Sequence, residues 1–312
     1  MNHVAVDLSV RLGRLSLPNP VLVASGTFGY AREMAGFVNL ATLGGIVPKT
    51  ITKAPRPGNH PWRTVETTGG MLNSIGLDND GIDYFLEHHL PYLGSVGAPI
   101  LVSVAGGNYE EFVELAARLD GRPEAAAIEL NISCPNVSHG VDFGTDPRMC
   151  EKVVAGARAA CDRPIIAKLT PNVAGIAEVA AGAENGGADA ISLINTCLGM
   201  AVDWRRRKTL LGNGYGGLSG PAIKPIALRC VHQAARRVKT PLIGIGGIAT
   251  LDDVMEFLVA GATAIQLGTV NFYDPTVAGR ILTELPEALR TLGAERVSDV
   301  VGTLNFPGLP PK

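Results

Sequence analysis

Several features that mark particular protein classes are scarce or missing in this sequence of 312 residues. Charged residues make up only 18%, and the formal net charge of -2 gives no overall attraction for nucleic acid or an acidic membrane. The sequence has no run of the roughly eighteen apolar residues that span a membrane, and its N-terminus lacks the basic patch and apolar run of a signal peptide. It therefore predicts a cytoplasmic protein that binds neither nucleic acid nor a membrane.

Cysteine is also sparse. The five cysteines are odd in number and widely spaced, and no C-x-x-C pair indicates a zinc site, an iron–sulfur cluster or a redox dithiol, so no metal is predicted. Cys161 and Cys230 lie in apolar periodic patterns typical of buried thiols. Cys134 instead follows an apolar run and precedes Pro135, which keeps the chain out of a helix. This exposed loop position makes Cys134 the candidate for a reactive cysteine, although no His–Asp pair is spaced to make it an acyl-transfer nucleophile.

What the sequence does contain is a regular alternation of short apolar runs and segments of helical periodicity, the pattern of buried parallel strands with crossover helices. Eight runs predict strands, at residues 21–24, 45–48, 100–104, 127–132, 165–169, 190–194, 242–245 and 264–267. Helical patterns follow at residues 33–40, 82–89, 109–119, 148–160, 173–185, 221–237, 251–260 and 275–292.

Eight such units in a chain of this length predict an α/β fold, a closed (β/α)₈ TIM barrel formed by residues 1–312 as a single domain. A doubly wound open sheet is the alternative. Residues 4–17 alternate apolar and polar around Gly13 and predict a hairpin at the bottom of the barrel. Two long insertions, residues 50–82 and 196–221, follow strands and therefore belong to the C-terminal rim, where such barrels bind their ligands.

Polar residues and glycines follow all eight predicted strands. Taken singly, a lysine here is most often a solvated cation, an asparagine a turn former and a glycine a steric necessity. Together they favour a site for a phosphorylated ligand. The glycine pairs in IGIGGIATLDDV and the similar QLGTVNFYDP precede helix starts that could bind one phosphate. Gly244, Gly246 and Ala249 also fit a G-x-G-x-x-A dinucleotide fingerprint, but the next strand ends in QLG with no acidic residue for a ribose, so a mononucleotide is favoured over NAD.

Eight motifs, in this order and spacing, resemble the class 1 dihydroorotate dehydrogenases from about residue 5 to residue 306. They are KT at 49, NSIGLDN at 73, NISCPNV at 131, AKLTPN at 167, INT at 194, GGLSGPAIKP at 216, IGIGGI at 243 and LGT at 267. The resemblance implies a barrel that binds FMN and oxidises dihydroorotate to orotate in pyrimidine biosynthesis. A cysteine at the position of Cys134 is the base in class 1, where the membrane-associated class 2 enzymes have serine.

The resemblance also assigns roles to individual residues. It implies that FMN is bound by Ser25, Lys49, Thr50, Ser103, Asn131, Lys168, Ile194, Gly220, Gly246, Gly247, Gly268 and Thr269. It implies that dihydroorotate is bound by Lys49, Asn73, Ser74, Ile75, Gly76, Leu77, Asn131, Asn195 and Thr196. Ser103 departs from relatives that have asparagine at this position.

The segments GGMLNSIGLDN and GYGGLSGPAIKPIAL are most similar to class 1B, in which a homodimeric catalytic core joins a separate FAD and iron–sulfur subunit in a heterotetramer that passes electrons to NAD. Three alternatives stay open. They are a class 1A homodimer that uses fumarate, a dihydropyrimidine dehydrogenase-like flavin barrel, and a barrel with only a binding or assembly role and no flavin. The run Arg205–Lys208 is either a solvated face or a docking or lid element.

Overall fold

Eight parallel strands close into a barrel in the computed structural model, which describes residues 6–133 and 143–308. The strands pair in chain order, and the eighth returns to the first through Ile265 opposite Val21. This closure confirms the predicted barrel and excludes the open sheet. The barrel strands are Val21–Val23, Gly45–Ile46, Ile100–Val104, Ala125–Asn131, Ile165–Leu169, Ala190–Leu193, Leu242–Ile245 and Ala264–Leu267.

Helices surround the barrel because every strand is buried on both faces, so its outer apolar side chains need a cover. No helix in the described parts of the chain is both long and apolar enough to cross a membrane. The α-helices are Gly81–Tyr84, Leu90–Gly94, Tyr109–Leu119, Pro147–Ala160, Ile176–Asn185, Lys224–Arg237, Leu251–Ala260 and Val277–Thr291, and a π-helical turn, Phe85–His89, joins the first two.

Two helix starts show why the sequence signals for them were reliable. The Asp146 side chain accepts a hydrogen bond from the amide of Arg148, and Pro147 occupies the first turn, where it forfeits no helical hydrogen bond. Thr250 and Asp253 form a reciprocal capping box at the start of helix Leu251–Ala260. Both helices begin within one residue of the predicted position.

The helix predicted over residues 33–40 is wrong. This stretch contains a 3₁₀ turn at Arg32–Met34, and a second one, Leu40–Thr42, begins at the end of the predicted range. The second turn starts afresh because the Asn39 side chain accepts a hydrogen bond from the amide of Ala41. The asparagine side chain thus competes with helix continuation, which an apolar period alone does not reveal.

The predicted N-terminal hairpin is confirmed. Strands Val10–Leu12 and Leu15–Leu17 pair antiparallel around Gly13, whose φ of 60° suits a tight turn. A side chain at Gly13 would collide with the backbone of Asp189, just before the sixth barrel strand, and Arg14 pairs with the Asp189 carboxylate at 2.8 Å. The hairpin therefore packs against the N-terminal end of the barrel.

Both long insertions lie at the opposite end, as predicted, and they join in one antiparallel sheet. This rim sheet, as we call it, consists of Thr64–Thr67 and Gly70–Asn73 from the first insertion and Cys197–Gly199 and Gly216–Ser219 from the second. A two-stranded ribbon, Val202–Asp203 with Lys208–Thr209, carries the basic run at its tip. The sheet covers part of the barrel mouth.

Candidate active site

A cavity of about 830 Å³ opens at the C-terminal ends of the barrel strands, beneath the rim sheet. Its volume is in the range of pockets that hold small molecules and cofactors. Except for Ser103 and Cys134, every residue predicted to bind cofactor or substrate lines it. These are Ser25, Lys49, Thr50, Asn73, Ser74, Ile75, Gly76, Leu77, Asn131, Lys168, Ile194, Asn195, Thr196, Gly220, Gly246, Gly247, Gly268 and Thr269.

Cys134 lies outside the described residues, but the chain on both sides of that gap is described. Ser133 is buried, and its hydroxyl accepts a hydrogen bond of 2.6 Å from the Asn195 amide. A side chain at Gly144 would come within 2.7 Å of the Ile132 carbonyl oxygen. The described residues on the two sides of the gap therefore lie close together, and Ser133 among them lines the cavity.

Hydroxyl groups from the first three strand ends form a chain. The Thr50 Oγ1 lies 2.7 Å from the Ser25 Oγ and 2.8 Å from the Ser103 Oγ. Ser103 is fully buried and lies below Thr50 rather than at the cavity surface. A contact between Ser103 and FMN stays a prediction. In the structure, Ser103 is connected to the cavity through its hydrogen bond with the Thr50 hydroxyl.

Amide side chains at the fourth and sixth strand ends form a second network. The Ser133 hydroxyl donates to Asn131 Oδ1 at 2.7 Å, and Asn195 Oδ1 accepts from the amide of Thr196 at 2.8 Å. Asn172 donates to the Thr196 carbonyl oxygen at 3.0 Å. These contacts fix the orientation of each amide, so its donor and acceptor point in defined directions.

Ser133 and Asn172 were not predicted as site residues. Both had a sequence signal, because Ser133 lies two and Asn172 three residues beyond the end of a barrel strand, and each lies within one of the eight motifs. Apolar residues that line the outer cavity were missed as well, and their scattered positions gave no signal: Met71, Leu198, Met200, Tyr215, Phe272 and Tyr273.

Glycines from three loops, namely Gly220, the pair Gly246 and Gly247, and Gly268, line one end of the cavity. Gly220, Gly246 and Gly247 have φ values of 93°, 125° and 74°, a region that other residues rarely adopt. A side chain at Gly247 would lie 2.8 Å from the backbone nitrogen of Lys224, and one at Gly220 would lie 2.8 Å from the Cα of Gly70. Only glycine fits here, and the bare backbone with two short helix starts, Pro221–Ile223 and Thr269–Phe272, forms a cradle suited to a phosphate.

Two lysines supply positive charge to the cavity from different depths. Lys168, at the end of the fifth strand, is 5% exposed and lies 3.7 Å from the Glu129 carboxylate in the barrel interior. Lys49 is partly exposed, and burial lowers the pKa of its ammonium, an effect that the negative charge of Asp78 opposes. One cation therefore has a fixed buried counter-ion, whereas the other is held beside the cavity without a hydrogen-bonded carboxylate of its own among the described residues.

The rim sheet connects the remaining predicted residues. Asn73 donates to the Gly217 carbonyl oxygen across the sheet at 3.4 Å, and Asn59 donates to the Ser74 hydroxyl at 2.9 Å. Gly76 has a φ of 79°, which lets the loop at residues 73–77 fold back over the barrel mouth. Residues 73–77 thereby face Lys49 and Asn131 across one cavity.

The family model for dihydroorotate dehydrogenase matches residues 7–289 of this sequence. The chain belongs to the dihydroorotate dehydrogenase family. Of the residues that the resemblance to this family assigned to FMN and dihydroorotate, all except Ser103 line its cavity, and their individual roles stay predictions.

Curated relatives match almost the full length. A protein of Geobacter sulfurreducens is 53% identical over 96% of this chain and 98% of its own length. Proteins of Trichlorobacter lovleyi and Geobacter metallireducens are 51% and 50% identical over 95% and 96% of this chain, and over 98% of their own lengths. All three are named dihydroorotate dehydrogenase B (NAD(+)), catalytic subunit. The resemblance to the class 1B enzymes is thus confirmed.

Proposed function

We propose that this chain is the catalytic subunit of an NAD-linked dihydroorotate dehydrogenase, which oxidises dihydroorotate to orotate in pyrimidine biosynthesis. The observation that carries the proposal is that the cradle for a phosphate, a buried lysine and a ring of oriented amides line the same cavity. Family membership identifies the substrate, and the names of the relatives favour NAD as the final acceptor.

FMN fits the residues present. The glycine cradle of Gly220, Gly246, Gly247 and Gly268 suits its single phosphate, and the hydroxyls of Ser25, Thr50 and Thr269 can bind polar edges of its ring or ribityl chain. Bound FMN would accept the hydride that leaves the substrate. Lys168, together with the backbone at Ile194, would face the ring, and the Lys168 ammonium would stabilise negative charge on the reduced cofactor.

Dihydroorotate carries a carboxylate and a ring of alternating donors and acceptors. We assign the carboxylate to Lys49, because a cation without a hydrogen-bonded carboxylate partner gains most from a charge-assisted hydrogen bond. The ring amides match the amide network of Asn131 and Asn195 with the hydroxyl of Thr196. Asn73 and the loop through Leu77 would cover the substrate from the rim sheet.

The oxidation also needs a base, since a proton leaves the carbon beside a carbonyl while a hydride leaves the neighbouring carbon. We assign the removal of this proton to Cys134. The residue before it in the sequence, Ser133, accepts a hydrogen bond from Asn195, which lines the cavity. Cys134 is therefore the next residue after a member of the amide network to which we assign the substrate ring. A thiol suits this step, because a carbon acid needs a base rather than a nucleophile activated by a His–Asp pair.

Electrons must leave the chain to reach NAD. Among the described residues no group of cysteine, histidine and acidic side chains could hold a metal, and the sequence has no C-x-x-C pair. We therefore assign the FAD and iron–sulfur centres to a partner subunit, with a homodimer of this chain as the core of a heterotetramer. The relatives' description as catalytic subunits supports a partner.

The test is anaerobic reduction of the FMN-loaded chain by dihydroorotate, measured as the loss of visible flavin absorbance. We expect dihydroorotate to reduce the FMN of the chain alone. We expect NAD to be reduced only when the chain is purified together with a co-expressed partner subunit. Fumarate reduction by the chain alone would instead support the class 1A alternative. Turnover of dihydrouracil but not dihydroorotate would move the assignment to the dihydropyrimidine dehydrogenase type. Failure of the pure protein to bind FMN would contradict the proposal.

A further inference from the structure

One charged side chain in the barrel interior has no part in the proposed reaction. Glu129 is fully buried in strand Ala125–Asn131, two residues before Asn131. Because side chains alternate along a strand, Glu129 points to the same face as Asn131, which lines the cavity. Glu129 itself does not line the cavity, so it lies one layer deeper on the barrel axis.

Side chains from three other strands surround this carboxylate. Its Oε2 accepts hydrogen bonds from the Ser192 hydroxyl at 3.0 Å and from the Gln266 amide at 2.8 Å. Its Oε1 lies 3.7 Å from the Lys168 ammonium and has no hydrogen-bond partner in the part of the chain that the structure describes. The cluster thus consists of one anion, one cation and two neutral groups.

A buried charge is costly unless an opposite charge lies beside it, so Glu129 and Lys168 depend on each other. Their positions differ in one respect that matters for a ligand. Lys168 lines the cavity and Glu129 does not, so the ammonium stands between the carboxylate and any bound group. The charge that a ligand experiences at this point is that of the pair, not of a lone lysine.

We propose that Glu129 is a positioning residue that holds the Lys168 ammonium at the cavity floor and offsets its charge. It thereby sets the reduction potential of the bound flavin below the value that an unpaired lysine would give. This inference rests on the proposed function in one respect, namely that the flavin ring lies over Lys168.

Two substitutions separate charge from packing. Glu129→Gln removes the charge and keeps the shape, whereas Glu129→Asp keeps the charge in a shorter side chain. Ser192→Ala is the matched control, because it removes one hydrogen bond to the Glu129 Oε2 and changes no charge. All three variants are measured as FMN-loaded full chains, by equilibration of the flavin with redox dyes of known potential.

We expect Glu129→Gln to favour reduced over oxidised FMN by about tenfold or more, which for a two-electron couple is a positive shift of about 30 mV or more. Glu129→Asp and Ser192→Ala should stay close to the wild-type potential. An unchanged potential in Glu129→Gln would overturn the proposal. Equal shifts in Glu129→Gln and Ser192→Ala would also overturn it, since they would indicate a packing effect.

Loss of one charge from a buried pair can prevent folding, so a second comparison is needed. If Glu129→Gln is unfolded, we expect the double variant Glu129→Gln with Lys168→Met, which leaves no unpaired cation, to recover a cooperative thermal transition. Failure to recover would contradict the pairing. The wild-type chain is tested separately for reduction by dihydroorotate, so failure of the proposed substrate leaves the potential measurements readable.

Discussion

The substitution Gly247→Ala tests the glycine cradle directly. Gly247 has a φ of 74°, and an added Cβ would lie 2.8 Å from the backbone nitrogen of Lys224 and 2.9 Å from the Gly220 carbonyl oxygen. Both contacts are closer than real Cβ atoms adopt, and both neighbours are backbone atoms that cannot rotate away. The loop must therefore shift, and with it the backbone amides that we expect to bind the phosphate.

The expected loss has two parts. Alanine in the left-handed region costs about 1–2 kcal/mol of folding stability wherever it occurs. Displacement of one charge-assisted hydrogen bond costs a further ~1.5–3 kcal/mol, which weakens FMN binding about 10- to 150-fold. Only the second part concerns the ligand, so affinity and stability must be measured separately.

Gly293→Ala is the matched control. Gly293 has a φ of 71°, nearly that of Gly247, but an added Cβ there meets no heavy atom within 4 Å and the residue does not line the cavity. We expect both variants to lose thermal stability, and only Gly247→Ala to lose FMN in a fluorescence titration of the flavin-free protein. Unchanged FMN affinity in Gly247→Ala, or an equal loss in both variants, would refute a phosphate site at this loop.

Three further predictions concern the proposed base Cys134, the substrate-binding lysine Lys49, and Asp189 at the bottom of the barrel. Cys134→Ala should keep FMN bound but lose most flavin reduction by dihydroorotate at neutral pH; stopped-flow reduction at the wild-type rate would exclude this base. Lys49→Met should raise the KM for dihydroorotate about 10- to 150-fold with a smaller change in kcat. Because burial lowers the pKa of Lys49, the wild-type KM should begin to rise at a pH below the usual lysine range as the ammonium loses its proton, and the KM of Lys49→Met should lack that rise. Asp189→Asn should cost about 1–2 kcal/mol at neutral pH in urea unfolding, allowing for solvent screening at the half-exposed Arg14.

The Asp189 prediction has a definite pH dependence. Burial raises the pKa of this carboxyl, but hydrogen bonds from Arg14 and from the amide of Ile165 outweigh burial and hold the pKa below the usual value of an aspartate. A depressed folded-state pKa contributes stability above the unfolded value and loses it as the pH falls through the folded value. The stability difference between wild type and Asp189→Asn should therefore shrink below about pH 4. A constant difference down to pH 2 would contradict the ion-pair account.

The barrel was predictable because the signal for each strand is local. A run such as IIAKL is short and, apart from its lysine, apolar, and a helix of that composition would be longer. Helix starts at Pro147 and Leu251 were predictable for the same reason, since capping depends on neighbours in sequence. The failure at residues 33–40 fits this view, because a local hydrogen bond from Asn39 overrode an apolar period.

Contacts between strand ends were not predictable, because they depend on which ends meet in space. Ser133 bonds Asn195, 62 positions later in the chain, and the rim sheet pairs Asn73 with Gly217 across 144 positions. Ser103 shows the limit in depth. Its place at the third strand predicted a cavity residue, yet the inward direction of its side chain leaves it beneath Thr50. The order of residues in the sequence predicts which of them lie near the rim of the barrel, but not how deep in the barrel each side chain lies.

The two lysines of the cavity show how one site can use the same residue type for two purposes. Lys168 is fixed from below by Glu129, so its charge is constant in position and is suited to a ligand that stays bound. Lys49 is held beside Asp78 without a hydrogen bond to it, and that carboxylate is already paired with Arg63 at 2.7 Å. Its ammonium is therefore available to a carboxylate that enters and leaves with each turnover. On this reasoning added salt should raise the KM for dihydroorotate through Lys49, while the flavin potential set at Lys168 should hardly change, since buried pairs are screened far less than exposed charges.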